Sequence, residues 1–222
     1  MNKEYESVFS RLTEWRNFPN YQLERRLDIF ISLYVKELLE ARLWPLREII
    51  IPEFPISRKT LGETVGLHKT VKVDYVLFPM DYKDPIVFLE LKTDNGSVRD
   101  EQIDYLVKAK QSGIKGILND LTLVYSKSKS KEKYTYLINK LDESGLTKTT
   151  WEKNKRSKIT SVPKINVIQD TKICLAILSP FKPSGLDGFE KFDFNDFKNI
   201  LNGKDDEISR SLNNILNVIN GC

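Results

Sequence analysis

Two stretches decide the fold, residues 70–78 (TVKVDYVLF) and 85–92 (PIVFLELK), separated by the turn-rich 79–84 (PMDYKD). Both are apolar runs of strand length rich in β-branched and aromatic residues, and the short polar stretch between them predicts an antiparallel hairpin. With the turn centred on Tyr82, Asp74 and Glu90 stand directly opposite each other. Side chains alternate with period two along a strand, so Lys92 shares a face with Glu90 and therefore with Asp74. The odd positions Val71, Val73, Tyr75, Leu77, Val87, Leu89 and Leu91 are all apolar and define a core face. The even face is apolar near the turn, at Val76, Phe78, Ile86 and Phe88, and turns charged only at its far end.

That charged end needs a reason. Like charges directly opposite on paired strands repel. A divalent cation between two carboxylates removes the conflict, and Mg²⁺ takes oxygen ligands, commonly one or two carboxylates with waters and phosphate oxygens. A lysine beside such an ion stabilises negative charge developing on phosphorus or orients the attacking water. Asp74, Glu90 and Lys92 together therefore read as a phosphoryl-hydrolysis site. Other acid-x-Lys triplets occur, among them Asp81-Tyr82-Lys83 in the predicted turn and Asp170-Thr171-Lys172 without a matching acid across a hairpin.

Outward from the hairpin, residues 20–43 (NYQLERRLDIFISLYVKELLEARL) predict one long amphipathic helix, with Leu23, Leu27, Phe30, Ile31, Tyr34, Leu38 and Leu39 at helical spacing. Asn20 is its N-cap and Pro45 limits its end. Residues 48–56 (EIIIPEFPI) predict an irregular strand broken by prolines. A second helix covers 97–112, opened by Ser97 as N-cap with Asp100 three residues on and closed by Gly113. A short strand is expected at 121–125, a helix at 134–141, one or two strands at 164–178 and a helical tail at 195–219. The order helix, strand, strand, strand, helix, strand points to an α/β or mixed sandwich.

These residues carry a family resemblance. An Asp on one strand, then an apolar strand ending Phe88-Leu89-Glu90-Leu91-Lys92, resembles the PD-(D/E)XK nuclease superfamily. The resemblance extends to Glu24 on the preceding helix and to Gln102 and Tyr105 on the following one. It departs at Val73, where the family often has Pro, and in the Gln-x-x-Tyr spacing, one residue shorter than in the RecB-like branch. It covers roughly residues 20–125. It implies a restriction-endonuclease-like α/β core, a central mixed sheet flanked by helices, with a C-terminal helical or irregular addition. It implies Mg²⁺-dependent hydrolysis of DNA, Mn²⁺ substituting, with metal on Asp74, Glu90 and the Leu91 carbonyl. Lys92 would assist the water, Glu24 would hold a second metal or its water shell, and Gln102 would position Lys92 or a phosphate. Products would carry 5′-phosphate ends, and homodimers are common in the family. Rival readings keep the fold without catalysis, as a nucleic-acid-binding or protein-interaction module, or direct the nuclease to RNA or branched DNA.

Composition sets the remaining bounds. At 222 residues with 40% hydrophobic content, the chain suits one domain, a core over about 20–180 and an extension over about 181–222. No apolar run approaches the roughly 20 residues of a membrane span. The charged N-terminus has no signal core, and Cys174 and Cys222 give no disulfide framework, so the expected compartment is cytoplasmic. The net charge of +4 is mildly basic. Lysines gather at 126–133 (SKSKSKEK) and 147–164, expected as solvated loops, where Lys127, Lys129, Lys131, Lys153, Lys155 and Arg156 are candidate phosphate contacts. Trp151 is a candidate stacking residue. Asp94 reads as a solvated loop acid, and the sole histidine, His68, excludes a histidine-based metal cluster.

Overall fold

The structure is a computed structural model that describes residues 3–15, 18, 22–64, 66, 69–94, 100–152 and 161–220. Helix α1 (Lys3–Trp15), α2 (Glu24–Ser32) and α3 (Val35–Glu40) precede strands β1 (Leu46–Ser57), β2 (Thr70–Pro79) and β3 (Ile86–Leu91). Helices α4 (Asp100–Lys127) and α5 (Lys131–Glu143) lead to β4 (Thr147–Glu152), β5 (Val162–Val167), β6 (Ile173–Ser179) and β7 (Phe189–Asp193). Helices α6 (Phe194–Asn202) and α7 (Glu207–Asn220) close the chain. The fold is α/β, with a five-stranded mixed sheet in the order β1-β2-β3-β6-β7, flanked by helices. A separate two-stranded sheet pairs β4 with β5. Among the described residues no helix is long and apolar enough to cross a membrane.

The hairpin register is the one the sequence predicts. Tyr75↔Leu89, Val76↔Phe88 and Leu77↔Val87 pair antiparallel, each symmetric about Tyr82. Every residue of β3 is buried, on both faces, as befits the middle strand of a sheet covered by helices. Strand β6 runs parallel to it: Ile86 N–H donates to the Lys172 carbonyl at one end and Lys92 N–H to the Leu178 carbonyl at the other. The edge position falls to β1, whose Pro52 and Pro55 would each cost an interior strand a ladder bond. There the expected irregularity is a register shift between Leu46 and Ile50 and a positive φ of 50° at Glu53, not a broken strand.

Several expectations need correcting. The helix expected over 20–43 is two helices, interrupted at Leu33 and Tyr34, where Tyr34 leaves helical geometry at φ −125° and ψ −5°. Leu27 and Ile31 of α2 and Val35, Leu38 and Leu39 of α3 are all buried, and at the break the Tyr34 hydroxyl donates to Asp206 at 2.8 Å. Residues 121–125 are helix, not strand. Their apolar run LTLVY suits either, and they continue α4, where Leu121, Val124 and Tyr125 are buried. Gly113 does end a helix, at φ 67° and ψ 168°, but a second helical segment resumes at once. The basic runs are largely structured: 126–133 joins α4 to α5, and 147–152 with 162–164 lie in the β4–β5 sheet. The tail forms α6 and α7, and β7 ahead of them belongs to the central sheet. Asn20, His68, Ser97, Lys153, Lys155, Arg156 and Cys222 lie outside the described residues.

The chain divides into two compact units, residues 1–44, 90–99 and 176–222, and residues 45–89 and 100–175. In the first, α3 and α7 pack with α6, and α1 with α7, around Phe192, Phe194 and Phe197. Arg42 ties α3 to β7 there, its guanidinium 4.5 Å from the Phe192 ring and donating to the Lys191 carbonyl at 2.8 Å. In the second, α4 packs on β1, β2 and β5, and α5 on β1 and β4, around Phe54, Phe78 and Phe88.

Candidate active site

At the end of the middle strand a charged pair is buried as deeply as the core. Glu90, the penultimate residue of β3, is 1% exposed, and Lys92, just past the strand, is 3% exposed. Alternation along the strand puts both side chains on one face, and the Lys92 ammonium donates to Glu90 Oε1 at 2.6 Å. Removing two charges from water costs several kcal/mol per ion, offset only by close geometry of this kind.

Asp74 lies within β2, half-buried, on the strand face it shares with Val76 and Phe78. Val76 is the register partner of Phe88, which shares its face with Glu90. The pairing described ends at Tyr75↔Leu89; the next residue of β2 is Asp74 and the next of β3 is Glu90. Leu91 closes β3 and is buried.

Gln102 is half-buried in the first turn of α4, and its Oε1 is buried without a hydrogen-bond partner among the described residues. One turn on, the Tyr105 hydroxyl donates to the Lys72 carbonyl at 2.8 Å, anchoring α4 two residues before Asp74. Glu24 opens α2, half-buried in its first turn, where a carboxylate complements the helix dipole. Asp94 is exposed just beyond Lys92.

The candidate phosphate contacts divide. Lys127 and Lys129 are exposed. Lys131 is committed to structure: its ammonium donates to the Tyr125 carbonyl and lies 4.5 Å from that residue's ring, and burial pulls its pKa down. Trp151 packs edge-on against Tyr125, ring centroids 5.7 Å apart.

The donor chemistry fits a hard divalent cation. Asp74 and Glu90 supply carboxylate oxygens and Leu91 a carbonyl. Among the described residues no cluster of three or more His, Cys, Asp or Glu is placed to hold a metal, but Mg²⁺ needs only one or two carboxylates when waters and phosphate complete its shell. A further group lies on α5 and β1, around Tyr136 and Glu53, marked in the sequence only by the i, i+3, i+4, i+7 spacing of Lys133, Tyr136, Leu137 and Lys140. No family model matches the chain, and no curated protein or solved structure matches it either.

Proposed function

We propose that this protein is a Mg²⁺-dependent nuclease with a restriction-endonuclease-like core, hydrolysing phosphodiester bonds of DNA through Asp74, Glu90 and Lys92. The observation that carries the reading is the Glu90–Lys92 pair, held at 2.6 Å and buried on the middle strand of the sheet. An apolar pair of similar volume there would be as stable or more so, so a stability role alone does not account for it. The observed hairpin register supports Asp74 as the second carboxylate, since continuing the Tyr75↔Leu89 pairing by one residue makes Asp74 the partner of Glu90. The meander β1-β2-β3, a following helix and a further strand beside β3 support the core named above.

A divalent ion bound by these oxygens would lower the pKa of its water and neutralise phosphate charge. The protein's own residues do the rest. Asp74 and Glu90, with the Leu91 carbonyl, would hold the ion. Lys92, beside Glu90, would present its ammonium to the phosphate and favour the charge that develops there. Gln102 Oε1, a buried acceptor without a donor among the described residues, is suited to steadying that ammonium or a phosphate-bound water. Glu24 is the remaining carboxylate of the set.

The test incubates the full chain with supercoiled plasmid, branched DNA and RNA, each with Mg²⁺, Mn²⁺ or EDTA. Metal-dependent cleavage is expected, lowered about 100-fold or more by Asp74→Asn, Glu90→Gln and Lys92→Met alike, in variants whose circular dichroism confirms folding. Binding without cleavage of any substrate under any metal would leave a recognition module in place of the enzyme. Cleavage of RNA or branched DNA alone would redirect the substrate.

A further inference from the structure

Within the unit of residues 45–89 and 100–175, helix α5 runs beside the edge strand β1 and leaves a cleft of about 480 Å³. The volume falls inside the roughly 300–1,000 Å³ of small-ligand sites. Its floor is apolar, built from Ile50, Ile51, Pro55 and Leu137. The lining also holds Tyr134 and Tyr136, three lysines, Lys72, Lys133 and Lys140, and a single acid, Glu53.

Three independent features mark this cleft. Tyr136 is 66% exposed although it flanks an apolar floor, and its ring has the Lys140 ammonium 5.5 Å from its centroid, which leaves the rest of the exposed ring open to a base. The cationic rim is only partly neutralised: Glu53 pairs with Lys72 and Glu143 with Lys140, while Lys133 is exposed and has no ion-pair partner among the described residues. Glu53 itself, in the wall, is the non-glycine residue whose backbone takes a positive φ, 50°, among the described residues. Strain of that kind persists where the surroundings impose it and gathers at ligand sites.

We propose that the cleft binds one unpaired nucleotide of a single-stranded polynucleotide, its base stacked on Tyr136 over the apolar floor and its phosphate beside Lys133. Any base offers a face to an aromatic ring, and lysines around a groove track the backbone. A strand fits better than a free nucleotide because Lys127 and Lys129, exposed in the segment leading to α5, add positive charge ahead of the helix that lines the cleft. The choice of polymer rests on the nuclease reading; the cleft and its charges do not.

The test measures anisotropy of a short fluorescein-labelled oligothymidylate with the full chain in EDTA, which prevents cleavage. Tyr136→Ala should weaken binding roughly 5- to 150-fold, the range for loss of one stacked base, while Tyr136→Phe binds as the parent does. Lys133→Ala should lower the slope of log affinity against log salt by about 0.7. The same strand annealed to its complement should bind at least about tenfold more weakly. Both side chains are exposed, so melting temperatures should not move. Unchanged affinity in both alanine variants, or equal affinity for the duplex, overturns the proposal. A chain that cuts DNA while Tyr136→Ala binds normally loses only the cleft; one that never cuts but shows Tyr136-dependent binding loses only the nuclease.

Discussion

Asp206 illustrates how one side chain sets a local pH dependence. Burial pushes its carboxyl pKa up, but hydrogen bonds from the Ser209 main chain, the Tyr34 hydroxyl and the Ser209 side chain outweigh that and hold it below the ordinary range. It caps α7, accepting from Ser209 N–H at 2.8 Å, three residues on. A carboxyl depressed in the folded state adds stability that is complete above the unfolded value, about 3.9, and lost as pH falls through the folded value. Asp206→Ala should therefore cost about 1–2 kcal/mol near neutrality, and the gap to the parent should narrow in urea denaturation near pH 3. Tyr34 has the opposite sign. Burial and the bond to Asp206 push its phenol up to about 12, so the associated stability is full below about pH 10 and is lost as pH rises toward that value. Tyr34→Phe should flatten the alkaline limb of the stability profile. At Glu90 and Lys92 the same logic concerns charge alone. Lys92→Met should cost about 3–5 kcal/mol by leaving the carboxylate without its ammonium, and Glu90→Leu with Lys92→Met should recover most of it. The shared face of these two residues was legible from period-two alternation, and the apolar residues flanking them on both faces pointed to a buried charge, which the structure shows at 1% and 3% exposure.

Elements were legible where local chemistry had no competitor. The β2–β3 hairpin had apolar strands, a short polar turn and a symmetric centre, and its register followed. Gly113 read correctly as a helix end because its φ of 67° with ψ of 168° is open to glycine alone. What a single segment cannot state is how the chain continues. LTLVY at 121–125 has the composition of a strand, yet its helical continuation buries Leu121 and Val124 on one side. Strand β4 (TKTTWE) is mostly polar and exposed, and only its pairing with β5 makes it a strand. The two glycines of α4 give opposite predictions. Gly113→Ala meets no atom within 4 Å, so its cost is backbone strain alone, about 1–3 kcal/mol. Gly116 is helical, and a Cβ there would touch Ser112 Cβ at 3.4 Å, a tolerable contact, so Gly116→Ala should stabilise by about 0.5–1 kcal/mol. Melting curves of the two variants should move in opposite directions from the parent.

At the scale of the whole molecule, binding and folding are linked, and that linkage tests the candidate site without reference to cleavage. A ligand that binds only the folded chain stabilises all of it by RT ln(1 + [L]/Kd), about 2.7 kcal/mol at a hundredfold excess over Kd. For a chain of 222 residues each kcal/mol raises the melting temperature by about 2–4 °C. Saturating Mg²⁺ or Mn²⁺ should therefore raise it by roughly 5–11 °C if Asp74 and Glu90 hold the ion. Asp74→Asn removes one of the two carboxylates but leaves the Glu90–Lys92 pair intact, so that variant should melt near the metal-free parent and gain little from added metal. Ca²⁺, with the same charge and the same preference for oxygen, should also stabilise the parent, because the effect needs binding and not turnover. Equal metal-induced shifts in the parent and in Asp74→Asn would place the ion elsewhere, and the opposed-carboxylate reading of the hairpin would go with it.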